Sequence, residues 1–155
     1  MPKHIISGLK YLATIELKKR GYTQQKIAQT LEIDRSTVSH YLNGRNLSWR
    51  SIEVAQTITE LIPRDFLILV DTLLGDNEAT RTLVNICKTK QFNTKIKESC
   101  IGCGLCVDLC IMKAINLDNL QAQIDSNWCC GCQICAERCP TKSIIILEVK
   151  DDREH

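Results

Sequence analysis

Along residues 1–92 the apolar positions recur every three to four residues, the spacing of one face of an α-helix. Ile5, Ile6, Leu9, Leu12, Ala13 and Leu17 form one stripe and predict an amphipathic helix over Ile5–Arg20, ended by Gly21. Ile27, Ala28, Leu31, Ile33, Val38 and Tyr41 are spaced as the inward positions of two short helices packed at a steep angle. Between them Glu32-Ile33-Asp34 is the break, and Asp34 or Ser36 can cap the second helix. Ser48 caps a further helix through Leu61, where Pro63 stops it. Asp65–Leu74 is densely apolar and ends at Gly75, and Glu78–Phe92 carries Leu83, Val84 and Ile86. Farther on the pattern changes. Short apolar runs at Ala114–Leu117, Ala122–Ile124 and Ser143–Val149 read as strands. The expected layout is a helical region 1–92, a linker 93–97 within the lysine-rich stretch Lys88–Lys97, a small α+β region 98–150 and a tail 151–155.

Cysteine is what sets the second region apart. Cys100, Cys103, Cys106 and Cys110 form a C-x₂-C-x₂-C-x₃-C run, and Cys129, Cys132, Cys135 and Cys139 repeat it 29 residues later, with Gly102 and Gly131 in step. A single C-x-x-C is a weak signal, but two matching four-cysteine runs are a strong one. Zinc prefers four ligands in two well-separated pairs, and disulfides belong to oxidising compartments. The N-terminus Met1–Gly8 lacks the apolar stretch of a secretory signal, and no run of about 18 apolar residues predicts a membrane span. A reducing cytoplasm that leaves thiols free for metal is therefore expected.

Residues 98–150 resemble a bacterial-type two-cluster ferredoxin, in which the fourth cysteine of each run crosses to the other cluster. The resemblance implies that Cys100, Cys103, Cys106 and Cys139 hold one [4Fe–4S] cluster, and that Cys129, Cys132, Cys135 and Cys110 hold the second. Pro140 follows Cys139 as that family has it, whereas Ile111 stands where the first run would have its proline. Cys130, at the repeat position of Ile101, reads as a small apolar side chain beside a cluster, and Cys87 as a core thiol. Ile101, Val107, Ile115, Ile134 and Ile144 are the expected apolar shell. So small a region builds little core of its own and should lean on its clusters for stability.

Charge separates the two regions further. Residues 1–50 carry nine Lys or Arg against three acids, while residues 100–155 carry five basic and eight acidic side chains, an asymmetry that the net +2 conceals. A basic end fits a polyanionic partner. Gln24–Asn43, with small Ala28 above Val38 and a Ser/Thr-rich second helix, resembles the helix-turn-helix of lambda-repressor and Cro proteins. Glu32 replaces that family's usual glycine at the turn and would sit in the left-handed region at a cost of roughly 1 kcal/mol. The resemblance implies that Ser36, Thr37, Ser39, His40 and Asn43 face the major groove, and that Gln25, Lys26, Arg35 and Arg45 complete the DNA-binding set.

The chain thus reads as a multidomain protein: an all-α helix-turn-helix domain followed by a small α+β ferredoxin-type domain. The expected function is a redox- or iron–sulfur-responsive, DNA-binding transcription regulator, cytoplasmic, with the apolar stretch 66–74 as core or as a homodimer face. The alternative is an electron-transfer protein whose helical domain docks a partner enzyme. An enzyme is not expected, because no glycine-rich nucleotide loop and no nucleophile–base pair stands out and the motif cysteines are committed as ligands.

Overall fold

The computed structural model describes residues 2–45 and 47–150, so the tail at 151–155 lies outside the described residues. Helix α1 (Pro2–Lys19) buries Leu9, Ala13 and Leu17, residues four apart that stack along one face. Gly21, at φ 88°, turns the chain after it. Helix α2 (Gln24–Leu31) is capped by Thr23, whose hydroxyl accepts from the Lys26 N–H at 3.2 Å. Glu32 then adopts φ 53°, ψ 45°, the left-handed conformation expected for it, and helix α3 (Arg35–Leu42) follows. Asp34 occupies the N-cap position of α3 without a side-chain cap bond. Val38 is fully buried beneath α2, and Tyr41 sets the edge of its ring on Tyr11.

Ser48 caps α4 (Trp49–Thr59), which packs along α1. Pro63 does not stop that helix; it occupies the first turn of α5 (Pro63–Leu74), where the missing N–H costs nothing. Phe66, Leu67 and Val70 of the apolar stretch point into the core, while Ile68 faces out. Helix α6 (Asn77–Cys87) is shorter than the Glu78–Phe92 expectation. It packs on α1, α2 and α5, and buried Thr80 bonds Asp71 Oδ1 and the Asp76 carbonyl.

The largest departure from the sequence reading comes next. Residues 93–97 are no linker: Phe92–Ile96 is strand β1, paired antiparallel with β4 (Ile144–Glu148) from Phe92 opposite Glu148 to Ile96 opposite Ile144. Between them lie α7 (Leu105–Leu109), the hairpin β2 (Ile115–Asp118) and β3 (Gln121–Ile124), and α8 (Ile134–Arg138). The order is therefore β1-α7-β2 followed by β3-α8-β4, with the outer strands paired and the inner strands paired. One continuous core runs from Leu9 and Val38 through Phe92 and Met112 to Cys135 and Ile146.

Candidate metal centres and nucleic-acid interface

The repeat of 29 residues governs backbone as well as sequence. Gly102 and Gly131 share positive φ (69° and 76°), as do Gly104 and Gln133 (78° and 66°) and Lys113 and Lys142 (52° each). After the fourth cysteine of each run the turn closes identically: Lys113 N–H donates to the Cys110 carbonyl and Lys142 N–H to the Cys139 carbonyl, both at 3.2 Å. Ile111 in place of proline has not changed that turn. One residue on, Ala114 N–H points at Cys110 Sγ (3.4 Å) and Ser143 N–H at Cys139 Sγ (3.3 Å).

Crossing of the fourth cysteine follows from this topology. One cavity is lined by Cys100, Cys103, Cys106 and Cys139, with Leu105, Leu117 and Ile144 among its apolar walls. A second is lined by Cys110, Cys129, Cys132 and Cys135, with Met112, Ile115, Ile124, Cys130 and Ile146. Each cavity takes three cysteines from one run and one from the other. Among the described residues no group of three or more His, Cys, Asp or Glu converges tightly enough for a single ion. Four sulfurs standing round a void, walled by aliphatic side chains and met by backbone N–H groups, fit a cubane with an iron at each sulfur better than one tetrahedral ion.

The thiols differ in how readily they become thiolates. A hydrogen bond from Cys130 holds Cys132 down to about 6 and, with burial, pushes Cys130 itself up. Burial pushes Cys135 up to about 12 and raises Cys129 and Cys106. At Cys139 burial pushes upward, but bonds from the Ser143 N–H and the Thr141 and Ser143 hydroxyls outweigh it and hold the thiol to about 7. Cys87 is different: half-buried against α1, its Sγ lies 3.8 Å from the Leu9 carbonyl, and desolvation pushes it up to about 12. It reaches neither cavity.

The helical region grips the surroundings of the second cavity. Arg64 of α5 donates from Nε to the Cys132 carbonyl (3.2 Å) and pairs with Glu137 at 2.6 Å. Arg81 of α6 donates to the Met112 carbonyl (2.5 Å) and lies over the Trp128 ring, 4.2 Å from its centre. Lys88, which ends α6, reaches the Asn127 carbonyl at 2.6 Å and the Cys129 carbonyl at 3.4 Å. Nothing in the sequence marks these three, because a cation on a helix face is normally just solvated. Strand β1, by contrast, could have been found: moving the expected strand 122–124 back by 29 residues places it at 93–95.

On the other side of the molecule, Gln25 and Lys26 stand exposed in the first turn of α2, and Arg35 and Ser36 in that of α3. Asn43 and Arg45 are exposed just after α3, and Ser39 is half-buried. Asn43 Nδ2 bonds the Ser39 carbonyl (2.9 Å) and hydroxyl (3.3 Å), tying it to its own helix. Thr37 and His40 lie a step round the helix and line a groove with His4, Tyr11 and Ser51 of α1 and α4. The outer stripe of α3 is thus Arg35, Ser36, Ser39 and Asn43.

A family model for a 4Fe–4S dicluster domain matches residues 99–143, and one for a helix-turn-helix matches residues 15–65. Ferredoxin-type protein FwdE of Methanocaldococcus jannaschii is 35% identical over 130 residues, covering 82% of this chain and 84% of the relative. No solved structure matches the chain. The molecule is therefore a helix-turn-helix, DNA-binding type of region joined to a ferredoxin-type domain for two [4Fe–4S] clusters. Among the described residues no helix is long and apolar enough to cross a membrane.

Proposed function

The chain belongs to the family of the ferredoxin-type protein FwdE, and on that premise we propose that it is a cytoplasmic, redox-responsive DNA-binding regulator. Cys100, Cys103, Cys106 and Cys139 would hold one cluster, and Cys110, Cys129, Cys132 and Cys135 the other. When bound, such clusters supply one-electron transfer at potentials set by charge, hydrogen bonds and exposure. Helix α3 enters the major groove, where Ser36 and Ser39 reach base edges, while Gln25, Lys26, Arg35 and Arg45 hold phosphates. Thr37, His40 and Asn43 complete that surface. Exposed Ile62 and Ile68 of the α5 region offer a face through which two copies would pair to read two half-sites.

The observation that carries the reading is the contact of the helical region with the walls of the second cavity: Arg64 on the Cys132 carbonyl, Arg81 on the Met112 carbonyl and Lys88 on the Cys129 carbonyl. Charge added near these cations strengthens their hold, and α6 passes the change to α1 and α2, against which α3 is packed. A coupling of about 1–3 kcal/mol would alter DNA affinity about 5- to 150-fold. Anaerobic titration of the chain's own upstream DNA at fixed salt, with the clusters oxidised and then dithionite-reduced, tests it. Specific binding that shifts with redox state is expected; specific binding indifferent to it refutes the sensor. The likeness to a ferredoxin-type protein favours a second reading, an electron carrier whose helical region docks a partner. That reading predicts no preference for any DNA sequence in either state.

A further inference from the structure

At Gly8 helix α1 lies so close to α4 that a Cβ atom would run into the Ser51 carbonyl. Farther along both helices, where the end of α6 joins them, a groove of about 590 Å³ opens. That volume falls within the range of small-molecule sites, which favour joints between structural units. The α1 wall presents Leu12 and Ile15, the end of α6 presents Ile86 and the Cys87 thiol, and α4 presents Gln56 and Thr59. Ile86 is buried beneath, while Leu12, Ile15 and Cys87 are half-buried and keep part of their apolar surface in the groove.

Three charged side chains line it, and two of them are already engaged. Glu16 pairs with Arg20 at 3.1 Å, and Lys88 donates to the Asn127 and Cys129 carbonyls. Lys19 is exposed and has no carboxylate partner among the described residues. The groove therefore combines an apolar floor with a single uncompensated positive charge. An apolar floor rewards a ligand that leaves water, and one unmatched cation selects the sign of its polar end.

We propose that this groove binds a small molecule that carries one carboxylate on an apolar body. The body rests on Leu12, Ile15 and Ile86, and the carboxylate turns toward Lys19. Such a ligand touches both sides of the joint between the helical and cysteine-rich regions. Tyr11, in its wall, sets the edge of its ring against Tyr41 of α3, and Lys88, also in its wall, holds the Cys129 carbonyl at the second cavity. A molecule lodged there bears on α3 without covering Arg35, Ser36, Ser39 or Asn43. That consequence rests on the DNA-binding reading; the site itself does not.

The test titrates sodium octanoate by calorimetry, without oxygen, into the full chain with its clusters reconstituted. One saturable equivalent per chain is expected, with octylammonium weaker by about tenfold or more. Gln56→Trp, made at an exposed position of α4, fills the groove and should weaken octanoate about tenfold or more. Lys19→Glu should weaken it about three- to tenfold, which keeps the test intact if the tryptophan variant fails to fold. Glu53→Lys, exposed on α4 and outside the groove, should change it less than about twofold. No saturable binding, equal affinity for octylammonium, or undiminished affinity in both groove variants would overturn the site. DNA titration at saturating octanoate reads the second step. A shift in affinity of about fivefold or more is expected, and it should vanish in Gln56→Trp. Unchanged affinity for a specific DNA site would overturn the action on α3. No specific DNA binding with or without octanoate would overturn the regulator reading and leave the groove's ligand standing.

Discussion

Beside Cys139 stands a chain of hydroxyls: Thr141 Oγ1 lies 3.6 Å from its sulfur and 2.5 Å from Ser143 Oγ, which is 2.8 Å from Ser99 Oγ. The same three positions beside Cys110 are Met112, Ala114 and Trp128. Hydroxyls polarise toward a sulfur that gains charge; a thioether, a methyl and an indole face do not. The second copy receives cations instead, with Arg81 and Arg64 only partly exposed and so weakly screened. Cysteine spacing and backbone turns are alike in the two copies, so what would distinguish their electronics is what meets the sulfur and its neighbouring carbonyls. The repeat sets the cage, and the residues around each copy give it its own surroundings.

The comparison breaks most severely at the ligands. Cys135→Ala should remove the second cluster, lowering iron from about eight to about four per chain, because that cavity loses one of its four sulfurs. The second cavity belongs to the core shared with the helices, so the melting temperature should fall further than for Cys103→Ala, whose cysteine is exposed. Equal losses in the two variants would mean that the copies share the load evenly. Next in size is Arg81→Leu, which removes the Met112 bond and the cover on Trp128. We expect a loss of about 1–3 kcal/mol in denaturant unfolding, together with a lower midpoint potential for the second centre alone in EPR-monitored titration. A shift in both centres would show that the cation acts through the whole molecule.

Smaller still is the pair Thr141→Val and Ser143→Ala, which keeps the backbone N–H to Cys139 Sγ and deletes the hydroxyls. The first centre should fall by tens of millivolts, on the order of the 59 mV that equals tenfold in a one-electron equilibrium or less, and the second should stay. Least disturbing is Ile111→Pro. The turn already closes as at Pro140, so both clusters should remain and stability should change by no more than about 1 kcal/mol.

How much of this was legible depended on how local the cause was. The pair of short helices and the cysteine runs follow from spacing within a few residues and the left-handed Glu32 from the helix-turn-helix resemblance, and the structure has α2, α3 and the turn there. The grouping of four cysteines per cavity is the one the family resemblance implied. Strand β1 was lost because its partner lies some fifty residues away and its lysines resemble a solvated connection. Proline both ends and begins helices, and only the path of the chain shows that Pro63 begins one. The cations Arg64, Arg81 and Lys88 became visible only once α5 and α6 were seen to lie against the second run. Thr37 and His40 sit in a groove because α4 returns beside them, a fact of packing and not of helical period.

Between the end of α6 and the start of β1 there are only Lys88, Thr89, Lys90 and Gln91. Fully extended, four residues reach about 14 Å, and Lys88 is already fastened to Asn127. The tether therefore has almost no slack, and β1 is itself stitched into the far sheet. A molecule so jointed cannot hold DNA with one arm while the other swings freely. Were α3 laid on a double helix, the same joint would set the direction in which exposed Cys103 and the first cavity look.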